Sequence, residues 1–599
     1  MTMDRGSLKM VVGRVTMATM SLVVMMMMMT MDRGSLKMVV GRVTMATMSL
    51  VVMMMMMTMV MMGSNERAIV REPSKRHFFA TDTYSLLGSH ELHEGPPSVV
   101  LSVNTTTSVT TVDERFISIG ATMGFIRTSR GQHFNSTRFW TLAHGLSPAI
   151  YRLGGAEADF TVFKEKINPV NCTLDPDSEG ERQSGNYGKL TFFNMTLCAH
   201  TWDNINEFAR SVGWDVLFTL NALDRNGSSW DPTGAIHLLK YTKQRGYPVL
   251  WALGNEPYGY PRKAHVNVTA TQMADAYHTL RKSVSQIPEL TDIFLVGPDT
   301  SSPIKNTSSI PSPSASYLNE FLQGVGNATN ITSFHFYYAS GRVAGFRELT
   351  DPRLADLLLL NIQSVQNSVK KYSANSKIWI TESGVCFGSG PQDLNNVYVD
   401  GMLFLDKLGL SARLGVDLVV NQGLIGRTGG LFDESLNPHL YYWLLLYHKR
   451  LMGTRVLDVS KVVSTKVRTS REENAKNKPD DDFSNYIRIY AHCTKTSTLY
   501  QPGSVTFMII NMVPINDIHI HLEGALLDSP IHEYLFLPKG TKGILSSQVR
   551  LNGHPLKMDD DLTLPSYSPR EQPPGSTIVV PQQSYGFYVL PRAQAPACQ

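Results

Sequence analysis

Short apolar runs alternate with amphipathic stretches from residue 148 to about residue 422, the rhythm of a chain that alternates strands and helices. One unit is clear, because residues 215–221 predict a strand, Asp231-Pro232 predicts a helix start, and residues 247–253 predict the next strand. Further predicted strands cover residues 293–296, 331–337, 378–381 and 417–422. Repeated strand–helix units over this length favour a (β/α)8 TIM barrel.

A different pattern begins beyond about Gly453. Apolar and polar positions alternate over short runs between turns that contain proline and glycine, as at residues 486–490, 505–510 and 584–589. This pattern is typical of a β-sandwich. The predicted fold class is therefore α/β, a (β/α)8 TIM barrel with a C-terminal β-sandwich domain, and a chain of 599 residues is long enough for both.

The first 63 residues contain a duplication, since residues 2–29 recur unchanged at residues 30–57. Arg42, the apolar run 43–62 and Gly63-Ser64 have the charged start, apolar centre and small-residue exit of a secretory signal. The same run is long enough to span a bilayer, so an uncleaved membrane anchor is an alternative, and an erroneous gene start is a third. We predict a chain that enters the secretory pathway and is secreted, lysosomal or membrane-anchored.

Composition excludes several function classes. Hydrophobic residues make up 42% of the chain and charged residues 18%, as in globular proteins, and the formal charge is only +4. No long basic stripe interleaved with aromatic residues appears, so we predict no nucleic-acid partner. None of the five cysteines has a zinc-type spacing and no HExxH motif occurs, so we predict a site without metal or cofactor.

A secretory route makes glycosylation sequons and disulfides informative. We interpret as glycosylation sites the sequons at Asn104, Asn135, Asn171, Asn194, Asn226, Asn267, Asn306, Asn327 and Asn330. Among the cysteines, Cys172 with Cys198 would bracket a loop, and Cys493 with Cys598 would tie the last residues to a strand. Cys386 is then left unpaired.

Two glutamates stand at the ends of predicted strands, where a barrel collects catalytic side chains on one rim. Glu256 precedes Pro257, and Glu382 is followed by Gly384, so that each strand is expected to stop there. Glycoside hydrolysis needs two such carboxyl groups, one on each side of the sugar ring. Asn255, beside Glu256, could donate to a sugar hydroxyl as charge develops.

Two other interpretations of this region stay open. A strand-end glutamate is in general more often a solvated loop residue than a catalytic one. The stretch Gly384-Val-Cys-Phe-Gly388 also has the form of a nucleophile elbow with Cys386 as the nucleophile, although no obvious His/Asp set follows it.

Several longer runs of residues between Phe116 and the C-terminus carry a resemblance to a known family. They lie at residues 146–155, 159–160, 253–257, 335–338, 341–342, 405–413, 433–434, 442–444 and 556–560. Together these runs of residues resemble the heparanases of glycoside hydrolase family 79, which are endo-β-glucuronidases of heparan sulfate. The resemblance implies a (β/α)8 barrel packed on a C-terminal β-sandwich that also takes in an N-terminal strand.

The sequence patterns and the resemblance together predict a division of the chain. Residues 1–63 would be the signal- or anchor-like segment, 64–115 would contribute a strand to the β-sandwich, 116–452 would form the barrel, and 453–599 would form the β-sandwich. By the same resemblance, Cys493–Cys598 would be the family disulfide.

Site residues follow from the resemblance as well. Glu256 would be the acid/base and Glu382 the nucleophile of a retaining mechanism. The subsite for the glucuronoside would be lined by Asn255, His335, Tyr337 and Gln422. We expect burial and the nearby negative nucleophile to raise the pKa of Glu256.

Polymer recognition is less well defined by the sequence. Arg262, Lys263 and Lys305 flank the predicted cleft and are candidate contacts to anionic groups of heparan sulfate or another glycan that contains glucuronic acid. The family's aspartate near the first barrel strand is replaced within residues 119–122, and the loop at residues 426–430 is altered. We predict a retaining endo-β-glucuronidase; the alternatives are an exo-acting β-glucuronidase on small glucuronides and a non-catalytic extracellular protein that binds heparan sulfate.

Overall fold

Eight parallel strands close into a barrel in the computed structural model, which describes residues 97–129, 132–166, 195–306, 309–373, 375–388, 390–391, 393–426, 429–463 and 483–599. The strands of this part are β1 (Ser98–Thr111), β2 (Ile117–Thr122), β3 (Ala149–Gly154), β4 (Thr161–Lys164), β5 (Met195–Cys198), β6 (Trp214–Leu220), β7 (Arg225–Asn226), β8 (Ser229–Trp230), β9 (Val249–Leu253), β10 (Leu295–Thr300), β11 (Ile331–Ser340), β12 (Lys377–Phe387), β13 (Leu418–Gln422), β14 (Met452–Val463), β15 (Ile487–Thr494), β16 (Val505–Asn511), β17 (Ile518–Leu522), β18 (Ile531–Pro538), β19 (Val549–Leu551), β20 (His554–Pro555), β21 (Arg570–Gln572), β22 (Ile578–Val580) and β23 (Ser584–Leu590). Its α-helices are α1 (Met123–Ser129), α2 (Thr137–Gly145), α3 (Ala199–Val212), α4 (Thr233–Gln244), α5 (Tyr260–Lys263), α6 (Ala270–Ser285), α7 (Pro313–Val325), α8 (Phe346–Leu349), α9 (Pro352–Tyr372), α10 (Asp400–Arg413) and α11 (Leu440–Leu451).

The barrel strands follow the order β2-β3-β6-β9-β10-β11-β12-β13, and β13 pairs with β2 to close the ring. Side chains along each strand alternate between the interior and the surrounding helices. Towards the amino-terminal ends of the strands the interior is filled by an apolar cluster of Ile150, Leu217, Ala252, Val296, Ile331, Trp379, Leu418 and Val420. Arg152 lies two residues beyond Ile150, and His335 four beyond Ile331, so the same alternation directs polar side chains into the carboxyl-terminal end.

Strand β12 is longer than its sequence predicts. The expectation that Gly384 stops this strand is wrong, because β12 continues to Phe387 and pairs with β11 as far as Ser340. The continuation depends on pairing with a strand distant in sequence, which local periodicity does not reveal. It carries backbone beyond the barrel rim on one side of the candidate site.

The register of β12 against β11 shifts at the site itself. Phe334 pairs with Ile380, whereas the next residue of β11, His335, pairs with Glu382. Thr381 is therefore an extra residue on β12, which is the pattern of a β-bulge. The bulge brings Glu382 level with His335.

The second part of the fold is a mixed sheet of eleven strands with the path β20-β19-β18-β23-β16-β15-β14-β1-β17-β22, and β21 pairs with β18. Strand β1 lies between β14 and β17, antiparallel to the first and parallel to the second. Apolar side chains from β1, β15, β16, β17, β22 and β23 share one core, so the sheet folds over itself as a sandwich does. The predicted fold class is confirmed, and the proposed division near residues 116 and 453 stays a prediction.

The predicted disulfides and glycosylation sites lie partly within the described residues and partly outside them. Cys493 and Cys598 form the predicted disulfide. Cys198 is disulfide-bonded, and its predicted partner, Cys172, lies outside the described residues. Sequon asparagines within the described ranges are all exposed, as glycosylation requires, and the sites at Asn171 and Asn194 lie outside these ranges.

Membrane anchoring was predicted from the apolar run 43–62, which lies outside the described residues. Within the part of the chain that the structure describes, no helix has both the length and the apolar character needed to cross a bilayer.

Candidate active site

The two predicted carboxylates lie together at the carboxyl-terminal end of the barrel. Glu256 follows β9 with a left-handed backbone (φ 49°), and its amide donates to the carbonyl of Asp299 at 3.0 Å. Such a backbone is strained for a residue other than glycine and is common at functional sites. Glu382 stands on the bulge of β12, across the interior from Glu256.

His335 lies between the two carboxylates. Its Nδ1 is 3.2 Å from Oε1 of Glu256 and 3.9 Å from Oε2 of Glu382. One ligand-type atom of each of the three side chains lies within 4.8 Å of the others. This is close to the separation of about 5–5.5 Å between the carboxyl groups of retaining glycoside hydrolases, and well below that of inverting ones.

Glu382 is oriented by two further side chains. Nη1 of Arg152 donates to its Oε2 at 3.0 Å, and the hydroxyl of Tyr337 donates to its Oε1 at 2.8 Å. Both oxygens of this carboxylate therefore have donors, which hold it in one position.

Arg152 joins several strands into one network. Its guanidinium is fully buried and donates through Nη2 to Oδ2 of Asp299 and to Oδ1 of Asn255, each at 2.9 Å. Asp299 also accepts hydrogen bonds from Ser333 at 2.5 Å and Thr381 at 2.6 Å. Residues of β3, β10, β11 and β12 and the end of β9 are thus linked beneath the carboxylate pair.

Charge in this network shifts two pKa values in opposite directions. Burial alone would raise the pKa of Asp299, but Arg152 and His335 outweigh it and lower that pKa. Burial alone would lower the pKa of His335, but Glu382, Asp299 and Glu256 raise it to about 9. His335 is therefore an imidazolium at neutral pH, and its charge offsets that of the carboxylates.

Lys263 alters what was expected of Glu256. Its Nζ donates to Oε2 of Glu256 at 2.8 Å. Burial raises the pKa of Glu256, but Lys263 and His335 outweigh burial and hold that pKa well below its ordinary value. The expectation that the pKa of Glu256 is raised is wrong for the substrate-free chain, because the sequence did not indicate a cation in direct contact.

The other residues assigned by sequence divide into two groups. Asn255 is buried beside the pair, where its Oδ1 also accepts the amide of Gly155 at 3.1 Å. Gln422 ends β13 on the same rim, and its side-chain oxygen is buried without a hydrogen-bond partner in the described structure. Arg262 is exposed on helix α5, which follows β9, and Lys305 is exposed on the loop that follows β10.

Sequence reasoning did not assign Arg152, Asp299 or Asp159 to the site. A charged residue inside the apolar strand β3 was a usable signal, since arginine is rarely buried unless it is paired. Asp159 accepts the amide of Asn255 at 3.1 Å and the hydroxyl of Tyr260 at 2.7 Å, and burial raises its pKa to about 7. Only the folded chain brings Asp159 beneath the loop that carries Glu256.

Two alternative chemistries find little support. Burial and the charge of Asp400 raise the pKa of Cys386 to about 12, the opposite of an activated nucleophile. Among the described residues, Glu256, His335 and Glu382 are close enough to share a cation. However, Arg152 and Lys263 already contact the two carboxylates, so a metal ion would meet existing positive charge.

Comparisons with known proteins match most of the chain. Residues 132–409 match the model of the Glycosyl hydrolase family 79, N-terminal domain. The chain is 32% identical to Inactive heparanase-2 of Homo sapiens over 84% of this chain and 90% of that protein. It is 34% identical to Heparanase of Gallus gallus over 76% of this chain and 88% of that protein.

The fold also matches a solved structure at low identity. A 4-O-α-L-rhamnosyl-β-D-glucuronidase from Fusarium oxysporum 12S superposes with a TM-score of 0.55 at 12% identity, over 82% of this chain and 100% of that one. This likeness concerns the fold alone, whereas the heparanase relatives share sequence over most of their length. The chain belongs to glycosyl hydrolase family 79.

Proposed function

We propose that this chain is a retaining glycoside hydrolase that cleaves β-glucuronoside bonds. The observation that supports it best is the carboxylate pair, Glu256 and Glu382, which flanks His335 with ligand-type atoms of all three within 4.8 Å. A pair at this spacing suits attack by one carboxylate, because the larger gap of an inverting site has to admit a water molecule.

In the proposed mechanism, Glu382 attacks the anomeric carbon while Glu256 protonates the leaving oxygen. A covalent glycosyl–Glu382 ester forms, and the aglycone departs with the proton. In the second step Glu256 accepts a proton from water, which attacks the same carbon and releases Glu382 with retention of configuration. Arg152 and Tyr337 hold Glu382 in place through the hydrogen bonds described above.

For the substrate, we propose heparan sulfate or a related glycosaminoglycan that contains glucuronic acid. Relatives named heparanase support this class. Arg262 on helix α5 and Lys305 on the loop after β10 are exposed on the rim, where they can meet anionic groups. The predicted secretory signal and the sequons support a secreted or lysosomal setting in which such glycans occur.

A second candidate is an exo-acting β-glucuronidase on small glucuronides. Lys263, which the sequence suggested as a polymer contact, is engaged with Glu256 instead. Tyr258 and Phe387 expose aromatic surface on the same rim, at 37% and 41%. Such surface suits an aromatic aglycone better than a sulfated sugar.

A non-catalytic role is the third alternative, since relatives that match over most of the chain carry the name inactive heparanase-2. The carboxylate pair, in which Arg152 and Tyr337 orient Glu382, favours an enzyme.

The test uses Glu382→Gln in the full chain. We expect the parent chain to hydrolyse an aryl β-glucuronide, and the variant to lose turnover by a factor on the order of 10³ or more while it keeps its circular dichroism spectrum. A 2-fluoro-glucuronosyl fluoride should label Glu382, as peptide mass spectrometry would establish. A matched control is Glu289→Gln, since Glu289 is exposed before β10, at the other end of the barrel.

Two results would contradict the proposal. Label on a different carboxylate, or inversion at the anomeric carbon, rules out the retaining assignment. Absence of turnover with both aryl glucuronides and heparan sulfate, together with heparan sulfate binding, would establish the non-catalytic alternative.

A further inference from the structure

Both oxygens of Glu256 are occupied in the substrate-free chain. Oε2 accepts a hydrogen bond from Nζ of Lys263 at 2.8 Å, and Oε1 lies 3.2 Å from Nδ1 of His335. The side chains of Lys263 and Glu256 are only 23% and 24% exposed, so water screens this pair weakly. Lys263 is the last residue of the short helix α5, which a 3-10 turn of residues Pro257–Gly259 separates from Glu256.

The charges that face this pair come from several elements. Glu382 on β12 and His335 on β11 lie beside Glu256, with Asp299 on β10 and Arg152 on β3 behind them. Two of these groups are acidic and two are cationic, so they largely offset one another. The cation that contacts Glu256 from outside this network is Lys263, and Asp159 and Glu382 reinforce its positive charge.

The contact between Lys263 and Glu256 disfavours the first step of the proposed mechanism and favours the second step. The first step needs a proton on Glu256 when the leaving oxygen is strongly basic, as in a sugar alcohol. The second step needs Glu256 ionised, so that it can accept a proton from water. A lysine that keeps Glu256 ionised therefore hinders only the departure of basic leaving groups.

We propose that Lys263 determines the leaving-group preference of this site, favouring β-glucuronides of acidic phenols and carboxylic acids over those of sugar alcohols. The inference rests on the proposed retaining mechanism, and it favours the second candidate, the glucuronidase of small glucuronides, since cleavage of heparan sulfate would expel a sugar alcohol. In the favoured reaction the bond between Glu382 and the anomeric carbon forms as the bond to the aglycone breaks. The electron pair leaves on the aglycone as a phenolate or carboxylate, and no proton moves in this step.

A second observation agrees with aromatic aglycones. Tyr258 stands two residues after Glu256 and is 37% exposed, and Phe387 ends β12 and is 41% exposed. The ring of Phe387 lies 6.2 Å from that of Tyr337, whose hydroxyl donates to Glu382. Exposed aromatic faces beside a catalytic carboxylate are surfaces on which an aryl group can pack.

The first test needs no substitution. The kcat/KM of the parent chain is measured over a series of aryl glucuronides, from dinitrophenyl to unsubstituted phenyl. We expect a steep fall as the phenol becomes less acidic, because Glu256 supplies little proton assistance. A flat dependence at pH 5–7 would overturn the proposal, since it would mean that Glu256 protonates every leaving group.

The second test uses Lys263→Met, with Lys263→Gln as an alternative if the methionine variant does not fold. Removing a cation in direct contact should raise the pH midpoint of the basic limb of kcat/KM for phenyl glucuronide by about 1–3 pH units. The kcat/KM for the dinitrophenyl substrate should change much less, so the ratio of the dinitrophenyl to the phenyl kcat/KM should decrease. Lys263→Arg should restore the parent profile, and Lys240→Met, on the exposed face of α4, should leave it unchanged.

An unchanged basic limb, or an equal loss with both substrates, would overturn the proposal and make Lys263 a general binding residue. A third measurement separates this failure from failure of the proposed function. A carbodiimide modifies protonated carboxyl groups, and mass spectrometry follows its reaction with Glu256 against pH. Modification that reaches higher pH in Lys263→Met than in the parent supports the Lys263–Glu256 coupling, whereas absence of turnover with every glucuronide overturns the function and the leaving-group preference together.

Discussion

Paired charges beneath the carboxylates fix the geometry of the candidate site. Arg152 and Asp299 are both fully buried, and their charged groups lie 2.9 Å apart. Buried ions are stable only when they are paired and hydrogen-bonded, so neither residue can be lost without stranding the other. Because Arg152 also donates to Glu382 and Asn255, one side chain sets the positions of residues from three different strands.

His335 should make stability fall on the alkaline side. Its pKa is raised to about 9, against about 6.5 in an unfolded chain, so its stabilising contribution is complete below pH 6.5 and is lost as the pH rises through 9. At about 1.4 kcal/mol per pH unit, the difference corresponds to roughly 3 kcal/mol. Urea unfolding between pH 6 and pH 9.5 measures it.

The expected result is a difference between the parent and His335→Gln in how the free energy of unfolding depends on pH. Burial lowers the pKa of Lys407 and that of Lys449 to about 7, and both groups act in the opposite direction, gaining stability above pH 7. Because His335→Gln keeps both lysines, the free energy of unfolding of the parent minus that of the variant should fall as the pH rises from 6.5 to 9, and His237→Gln, at an exposed histidine of α4, should behave as the parent. Parallel pH profiles for the parent and His335→Gln would contradict the assigned imidazolium.

For single residues, the sequence predicted which carboxylates belong to the site but not which side chains contact them. Glu256 and Glu382 could be found because a carboxylate at a strand end of a barrel has few structural reasons to be there. The contact between Lys263 and Glu256 could not, since it depends on the direction in which α5 leaves the rim. The pairing of Arg152 became visible only when the closed barrel placed β3 opposite β12.

Among elements, local periodicity predicted where most barrel strands begin and failed where long-range pairing extends them. Residues 331–337 predicted the start of β11, which begins at Ile331, but the strand runs on to Ser340 beside the extended β12. The helix start at Asp231-Pro232 has a local cause, since Oδ1 of Asp231 accepts the amide of Thr233 at 2.9 Å. The bulge at Thr381 has no such local signal, because it is defined by the register of a neighbouring strand.

Helix α10 packs so closely on the sheet that it requires a glycine. A Cβ atom at Gly409 would lie 2.2 Å from a ring carbon of Tyr490, whose hydroxyl donates to Asp406 of the same helix at 2.6 Å. Gly409→Ala should therefore cost about 1–3 kcal/mol of unfolding free energy by overpacking, although alanine favours helix by about 0.5–1 kcal/mol. Urea denaturation is the measurement.

The matched control is Gly234→Ala in α4, where the nearest atom to an added Cβ is a side-chain oxygen of Asp224 at 3.3 Å. This substitution should leave stability within about 0.5 kcal/mol of the parent. Equal stability of both variants would mean that the Tyr490 ring moves aside without loss, and that the close approach is not needed for the interface.

In the whole molecule, the barrel and the sheet share one extensive interface. Tyr398 and Tyr585 stack with ring centroids 4.6 Å apart, and the hydroxyl of Tyr398 donates to the carbonyl of Phe536 at 2.8 Å. Arg488 of the sheet pairs with Asp356 of the barrel helix α9 at 2.8 Å. We expect parts joined in this way to unfold as one cooperative unit, since neither can leave without exposing buried aromatic surface.

Strand β1 offers a direct test of that cooperativity, because it lies within the sheet although it precedes the barrel in sequence. Leu101 of β1 is fully buried in the core of the sheet, so Leu101→Ala should cost about 2–5 kcal/mol. The chain's seven tryptophans all lie between Trp140 and Trp443, so their fluorescence reports on the barrel, whereas far-ultraviolet circular dichroism reports on both parts. We expect both signals to shift together to lower urea in Leu101→Ala, and Val109→Ala, at a position of β1 that is 53% exposed, to stay within about 0.5 kcal/mol of the parent. If the circular dichroism transition moves while the tryptophan transition does not, the sheet unfolds without the barrel and the interface does not couple them.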